Sequence, residues 1–237
     1  MITEFKLDRK VQAFTTTTKS GNMAYQVDEG NGVLNNRKKL CELLGIDTKH
    51  LILTHQSHSS VIKGVFDEDI GKSELSFESG IDADGFYTKS HNLTIGIFHA
   101  DCVPLFFYDS KKEIIGIIHC GFRGTLKHAA KTMLETYIQE VGADVKDLKL
   151  CIGPCRRTAS FEVNEESKKD ISSSLLNKYI IKDHFDMVGV LLDDLKSLGI
   201  DENQITDSKL DTVNNPIYYS AYEKTPVGRM VSCIRFK

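Results

Sequence analysis

A chain of 237 residues, 41% hydrophobic and 27% charged, is long enough to bury a substantial core and too apolar to remain disordered. A net charge of −3 gives no reason to expect nucleic acid or a membrane surface as partner, though it leaves room for local basic pockets. The first ten residues lack the apolar block of a signal peptide, and the most apolar stretch, 93–108, is broken by His99, Asp101 and Pro104, so a cytoplasmic protein with its six cysteines reduced is expected.

In chain order, alternating or apolar runs rich in β-branched and aromatic residues predict strands over 2–7 and 11–16. Leu34, Leu40, Leu43 and Leu44 before Gly45 predict a helix. Strands over 51–56, 61–66, 93–99, 104–108 and 113–119 follow. Leu126, Ala130, Met133, Leu134, Tyr137, Ile138 and Val141 recur at helical spacing, and Gly142 closes that run. Cys151 to Cys155 reads as a strand and a sharp turn around Gly153-Pro154. Helices over 165–176 and 190–198, the second closed by Gly199, precede strands over 204–207, 217–220 and 229–236. Four prolines and no Gly/Ser-rich linker leave no internal boundary, so one α+β domain is expected over residues 1–237, with mixed sheets flanked by helices.

Reactive residues gather at the ends of the apolar strands: Thr54-His55-Gln56-Ser57-His58-Ser59-Ser60, then His99-Ala100-Asp101-Cys102-Val103-Pro104, then His119-Cys120-Gly121-Phe122-Arg123-Gly124. His58, Cys102 and His119 supply two imidazoles and a thiolate, a borderline-soft set that suits zinc with a fourth position left for water. Each also has a structural reading, since a cysteine in an apolar strand is often a small core residue and a strand-end histidine is often merely hydrogen-bonded. Arg123 falls at a predicted helix N-terminus, where an anion such as phosphate is favoured. Asp82 and Asp84 fit a turn, or a carboxylate that orients a metal-bound histidine or meets a sugar hydroxyl. Glu162 is either a buried acid or an exposed strand glutamate. Arg229, after Gly228, is either a second cation or the start of an edge strand.

Taken in order, these segments resemble the YfiH-like, or laccase-domain, family. The matching elements are Gln56-Ser57-His58, Asp82-Ala83-Asp84, Ala100-Asp101-Cys102-Val103-Pro104, His119-Cys120-Gly121-Phe122-Arg123-Gly124, Ile152-Gly153-Pro154 with Phe161-Glu162-Val163, and Gly228-Arg229-Met230; Asn36-Arg37 extends the likeness toward the N-terminus. Ser59, Cys120 and Phe122 stand where the family pattern has glycine, alanine and tryptophan, Phe122 keeping an aromatic wall. The resemblance implies αββα-type layers and one metal site, zinc or alternatively copper, on His58, Cys102 and His119. It implies a cytosolic purine nucleoside phosphorylase for adenosine, inosine and methylthioadenosine that also deaminates adenosine. In that reading Cys102 and His119 are catalytic, with Asp84 or Glu162 carrying protons. Arg123 and Arg229, with Arg37 behind them, take phosphate, and Gln56 takes substrate. The alternatives are copper-dependent phenol oxidation and a cysteine hydrolase, acting on an amide or a cell-wall precursor, with Cys102 as nucleophile.

Overall fold

The computed structural model describes residues 1–27, 31–72, 80–223 and 226–237. Strand periodicity sets its layers. In β9 (Ile114–Cys120), Ile115 and Ile117 face one side while Ile114, Ile118 and Cys120 face the other, and all five are buried. Its neighbour β8 (Val103–Asp109) repeats the pattern, with Phe106 and Tyr108 on one side and Val103, Leu105 and Phe107 on the other. A sheet apolar on both faces needs cover on both.

One cover is the first sheet, whose strands begin earlier in the chain. The sheet holding β8 and β9 runs β13 (Ile205–Asp207), β10 (Leu148–Ile152), β8, β9, β6 (Gly85–Thr88), β4 (Ile62–Gly64). The other runs β1 (Ile2–Phe5), β2 (Val11–Thr16), β14 (Met230–Phe236), β7 (Thr94–His99), β3 (Leu51–His55), β5 (Ile81–Asp82). Both are mixed: β3 lies parallel to β7 and β5, while β14 is antiparallel to β2 and β7. Ala13, Ile95, Ile97, Phe106, Ile117 and Ile234 form the layer between them.

Helices supply the outer covers. Leu40 and Cys41 of α1 (Asn31–Leu44) pack on Phe14, Leu51 and Phe98 of the first sheet. Short α2 (Phe122–Thr125), α3 (Ala129–Val141), α4 (Glu165–Ser173) and α5 (Met187–Ser197) cover the second sheet, Met133, Leu134 and Leu191 among the contacts. A small hairpin of β11 (Ile180–Ile181) and β12 (His184–Phe185) joins them. The order helix, sheet, sheet, helix is the expected α+β arrangement, and Gly45, Gly142 and Gly199 close their helices at positive φ as the sequence indicates.

Three expectations need correction. Residues 217–220 form no strand: Tyr218 closes a turn on Asn215, and buried Tyr219 fills the space over Gly228. The helix expected from Leu126 starts at Ala129, because His128 at φ 53 breaks it from α2. Strand β5 and the first residue of β6 lie where the sequence reads as a turn. Because β5 belongs to the first sheet and β6 to the second, the chain crosses between sheets at Ala83 and Asp84. Among the described residues no helix is long and apolar enough to cross a membrane.

Candidate metal centre

That crossing anchors the site. Asp84 is fully buried, and its carboxylate accepts from the backbone N–H groups of Ser57, His58 and Ser59 at 3.3, 3.1 and 2.7 Å and from Ser59 Oγ at 2.7 Å. The loop after β3 is thereby held with His58 at φ 58, a conformation few non-glycine residues adopt unaided. His119 Nδ1 donates to the same carboxylate at 2.9 Å, which fixes the ring and leaves Nε2 for a ligand. Asp84 therefore orients His119 and, with every lone pair engaged, is no free proton carrier. Ser59, standing in the family's glycine position, contributes two of these bonds.

His119 ends on the inter-sheet face of β9, and Cys102 immediately precedes β8, which pairs with β9 through Val103 and Cys120. His58 arrives from the other sheet. One ligand atom from each of the three lies within 4.8 Å of the others, and the two imidazoles meet edge to face with centroids 5.0 Å apart. A Cβ on Gly121 would sit 2.8 Å from Cys102 Sγ and 3.1 Å from His58 Cδ2, so this position keeps the centre open. Two imidazoles and a thiolate, converging on space that a single methyl would fill, fit a zinc-type ion.

Burial alone would push the Cys102 thiol up, but the charge of His119 and hydrogen bonds from His119 and His58 bring it down to about 6. Burial likewise favours a neutral His119, yet Cys102 and Asp84 raise it to about 9. Hydrogen bonds from His119 and Ser59 overcome burial at Asp84 and hold it at about 2. Without metal, then, the centre is a thiolate beside an imidazolium backed by a carboxylate.

A pocket of about 410 Å³ opens over these groups, with Gln56, Phe98, His99, Ala221 and Arg229 in its walls. Clefts of about 520 Å³ beside Phe66 and of about 450 Å³ beside Lys146 gather no comparable donors. Gln56 lines the pocket with its amide already committed, donating to Phe98 O at 2.9 Å and accepting from Phe98 N–H, so it extends the β3–β7 pairing. Arg229 brings a half-buried guanidinium to the wall, one nitrogen resting on Gly228 O at 2.9 Å.

Other expected residues lie elsewhere. Arg123 is exposed outside the pocket lining, and α2, four residues long, offers no helix N-terminal site for its anion. Arg37 is buried behind the pocket, donating Nε to Met23 O at 2.9 Å with its guanidinium 4.9 Å from the Phe98 ring. Glu162 is exposed between buried Phe161 and Val163, as strand alternation requires, and does not line the pocket. Asp82 is also exposed and pairs with His55 at 2.8 Å. Phe122 packs on Phe161 and Phe185, so Phe98 supplies the aromatic wall instead. Cys120 faces away from His119, its Sγ 3.4 Å from Thr125 Oγ1 and its pKa pushed by burial to about 11.

Asp101 has no role in the sequence reading beyond its motif. Its φ is 80, and its carboxylate accepts from Thr212 Oγ1, Ser220 Oγ and the Tyr222 N–H at 2.6, 3.0 and 2.9 Å. These bonds tie the late chain, including Ala221, over the loop that carries Cys102.

Residues 5–237 match the sequence model of a family described as multi-copper polyphenol oxidoreductase laccase. The chain is 28% identical over 226 residues to purine nucleoside phosphorylase YlmD of Bacillus subtilis, covering 89% of this chain and 79% of that protein. It is 33% identical over 173 residues to the purine nucleoside phosphorylase of Borreliella burgdorferi, with 70% of each covered. Among solved structures, Bacillus licheniformis hypothetical protein YfiH superposes with a TM-score of 0.87 at 28% identity, over 96% of this chain and 93% of that one.

Proposed function

The chain belongs to the multi-copper polyphenol oxidoreductase laccase family, and from that premise we propose that it is a metal-dependent purine nucleoside phosphorylase. Its substrates are adenosine, inosine and methylthioadenosine, and adenosine deamination is a second activity. The observation that carries the reading is the meeting of His58, Cys102 and His119 with the cation of Arg229 in one pocket of nucleoside size. The named activity of the two relatives, which span most of the chain, supports the same choice.

Phosphorolysis breaks the bond from the sugar C1′ to the base as phosphate oxygen bonds to C1′. The phosphate dianion needs a cation, and Arg229 is the guanidinium that lines the pocket. Phe98, backed by Arg37, walls the cleft, and Gln56 stiffens that wall through its two bonds to Phe98. Asp84 fixes the His119 ring, and Cys102 is kept as a thiolate by His119 and His58. A zinc ion held by these three side chains would supply an acidic bound water for deamination. A cytoplasmic setting keeps such a thiolate reduced.

The test is metal content and turnover on one preparation, with each nucleoside, with and without phosphate. Phosphate-dependent release of free base with about one zinc per chain is expected. Bound metal with no turnover of any of the three nucleosides overturns the reading.

One observation favours a second reading. The chain of Asp84, His119 and Cys102 has the layout of an activated thiol nucleophile, base and orienting acid. A covalent substrate adduct on Cys102 in metal-free protein would establish that hydrolase. Among the described residues, His58, Cys102 and His119 are the one group of three such donors, so the several coppers of a laccase-type oxidation find no second centre.

A further inference from the structure

Two buried side-chain atoms among the described residues lack a hydrogen-bond partner, Arg156 Nη2 and His99 Nδ1. The Arg156 guanidinium is stacked between the rings of Phe161 and Tyr222, at 4.2 and 3.9 Å, outside the pocket lining. His99 is different. It ends β7, is 2% exposed, and lines the pocket beside Cys102, His119 and Arg229. An orphaned ring nitrogen costs free energy that an incoming hydrogen bond recovers.

Its other nitrogen is well held. His99 Nε2 lies 2.7 Å from Ser232 Oγ, which lies 2.6 Å from Thr15 Oγ1, and both hydroxyl residues are fully buried on the inter-sheet side. At 2% exposure the ring is neutral, since burying an imidazolium without a carboxylate partner is costly. One nitrogen then carries a proton and the other a lone pair. Ser232 can donate to Nε2 or accept from it, and Thr15 can take the complementary part in either case. Nδ1 makes no hydrogen bond of good geometry, its polar neighbour being the Cys102 backbone, so it can turn acceptor or donor without any change in charge.

We propose that His99 Nδ1 reads the purine base, and that the Ser232–Thr15 hydroxyl chain lets it serve bases of opposite hydrogen-bond polarity. The inference rests on the phosphorylase reading and deepens it. Adenine presents an acceptor at N1 beside an amino donor, whereas hypoxanthine presents N1–H beside a carbonyl acceptor. A fixed donor or acceptor would reject one of them, because a buried polar group would be left unpaired. A ring that changes tautomer against a reversible hydroxyl chain admits both.

The experiment is steady-state kinetics with inosine and adenosine at saturating phosphate, on wild type, His99→Phe and Ser232→Ala, with metal content measured on each. His99→Phe is expected to raise KM and lower kcat/KM roughly ten- to thirtyfold for both nucleosides at wild-type metal content. Ser232→Ala keeps the ring and cuts the chain, and is expected to shift the inosine-to-adenosine ratio of kcat/KM by roughly threefold or more. Wild-type kinetics in His99→Phe would mean that a buried water satisfies Nδ1, and the proposal falls. Should His99→Phe fail to fold, an unchanged ratio in Ser232→Ala overturns it alone. A wild-type protein that turns over neither nucleoside sinks the phosphorylase reading and this inference together, an outcome distinct from a variant that matches an active wild type.

Discussion

Gly121 caps α2 with φ −88, a conformation any residue adopts, so its missing side chain matters only for the space it leaves. An alanine there would put its methyl 2.8 Å from Cys102 Sγ. Gly121→Ala is therefore expected to fold as the wild type does while its metal content drops well below one ion per chain. Circular dichroism with elemental analysis checks both halves, and full metal content in the variant would remove the centre from this space. Protons test the same three ligands. Metal needs the Nε2 lone pair of His119, whose pKa is raised to about 9, and the thiolate of Cys102, whose pKa is lowered to about 6. Between those values one proton leaves His119 for each ion bound, so affinity is expected to rise roughly tenfold per pH unit from 6 to 9 and level off above. Below 6 the slope steepens, as Cys102 must also deprotonate. Zinc competition against a chelator across that range checks it, and a flat profile would contradict the ion pair. The three candidate ligands stand at strand ends in the sequence, but residue chemistry there is a weak signal, and it is the ordered family motifs that single them out. The exposure that removes Arg123 and Glu162 from the pocket, and the single orphaned nitrogen of His99, are properties of packing that no local pattern encodes.

Cross-strand pairing explains both the accuracy and the errors of the sequence reading among the elements. The 11–16 run, apolar at Val11, Ala13 and Phe14 and ending in two β-branched threonines, becomes β2 with those bounds. Strands β5 and β6 escape because they are short, and Asp82, Asp84 and Gly85 around their junction favour a turn locally. Tertiary pairing wins there: β6 is fixed by its register with β9, Gly85 opposite Ile118 and Thr88 opposite Ile115. Where a strand is glycine-poor, a glycine marks close approach. Gly116 lies directly opposite Phe107, and a Cβ on it would fall 2.0 Å from the Phe107 ring, which Tyr137 of α3 covers from above with ring centroids 4.7 Å apart. Gly116→Ala must displace that ring against a packed helix. It is expected to cost about 1–3 kcal/mol and lower Tm by roughly 2–10 °C, with the metal content of the folded protein unchanged. Thermal unfolding monitored beside metal analysis separates the two, and an unchanged Tm would show that the ring moves freely.

The layered plan makes the last strand of the chain a central one. β14 lies between β2 and β7, is buried along most of its length, and carries Ser232 and Ile234 into the inter-sheet layer. All three candidate ligands lie between residues 58 and 119, yet the sheet that presents His58 and His99 is not closed until residues 230–236 pair with strands made far earlier. Non-local closure of this kind is visible in no window of the sequence, which is why the composition and periods give the layers but not their order. It predicts an asymmetry between the two ends. Strand β1 pairs with β2 alone and is half-exposed, so a chain starting after Phe5 gives up one edge pairing. That protein is expected to fold cooperatively, at lower Tm, and to keep its metal. A chain ending before Met230 loses pairing on both sides of β14 and exposes Ile95, Ile97 and Phe14, and is expected to show no cooperative transition although it retains every ligand. Thermal melts with metal analysis of the two truncations decide it: bound metal and a sharp transition in the second would mean that the residues 58–119 assemble the centre without the completed sheet.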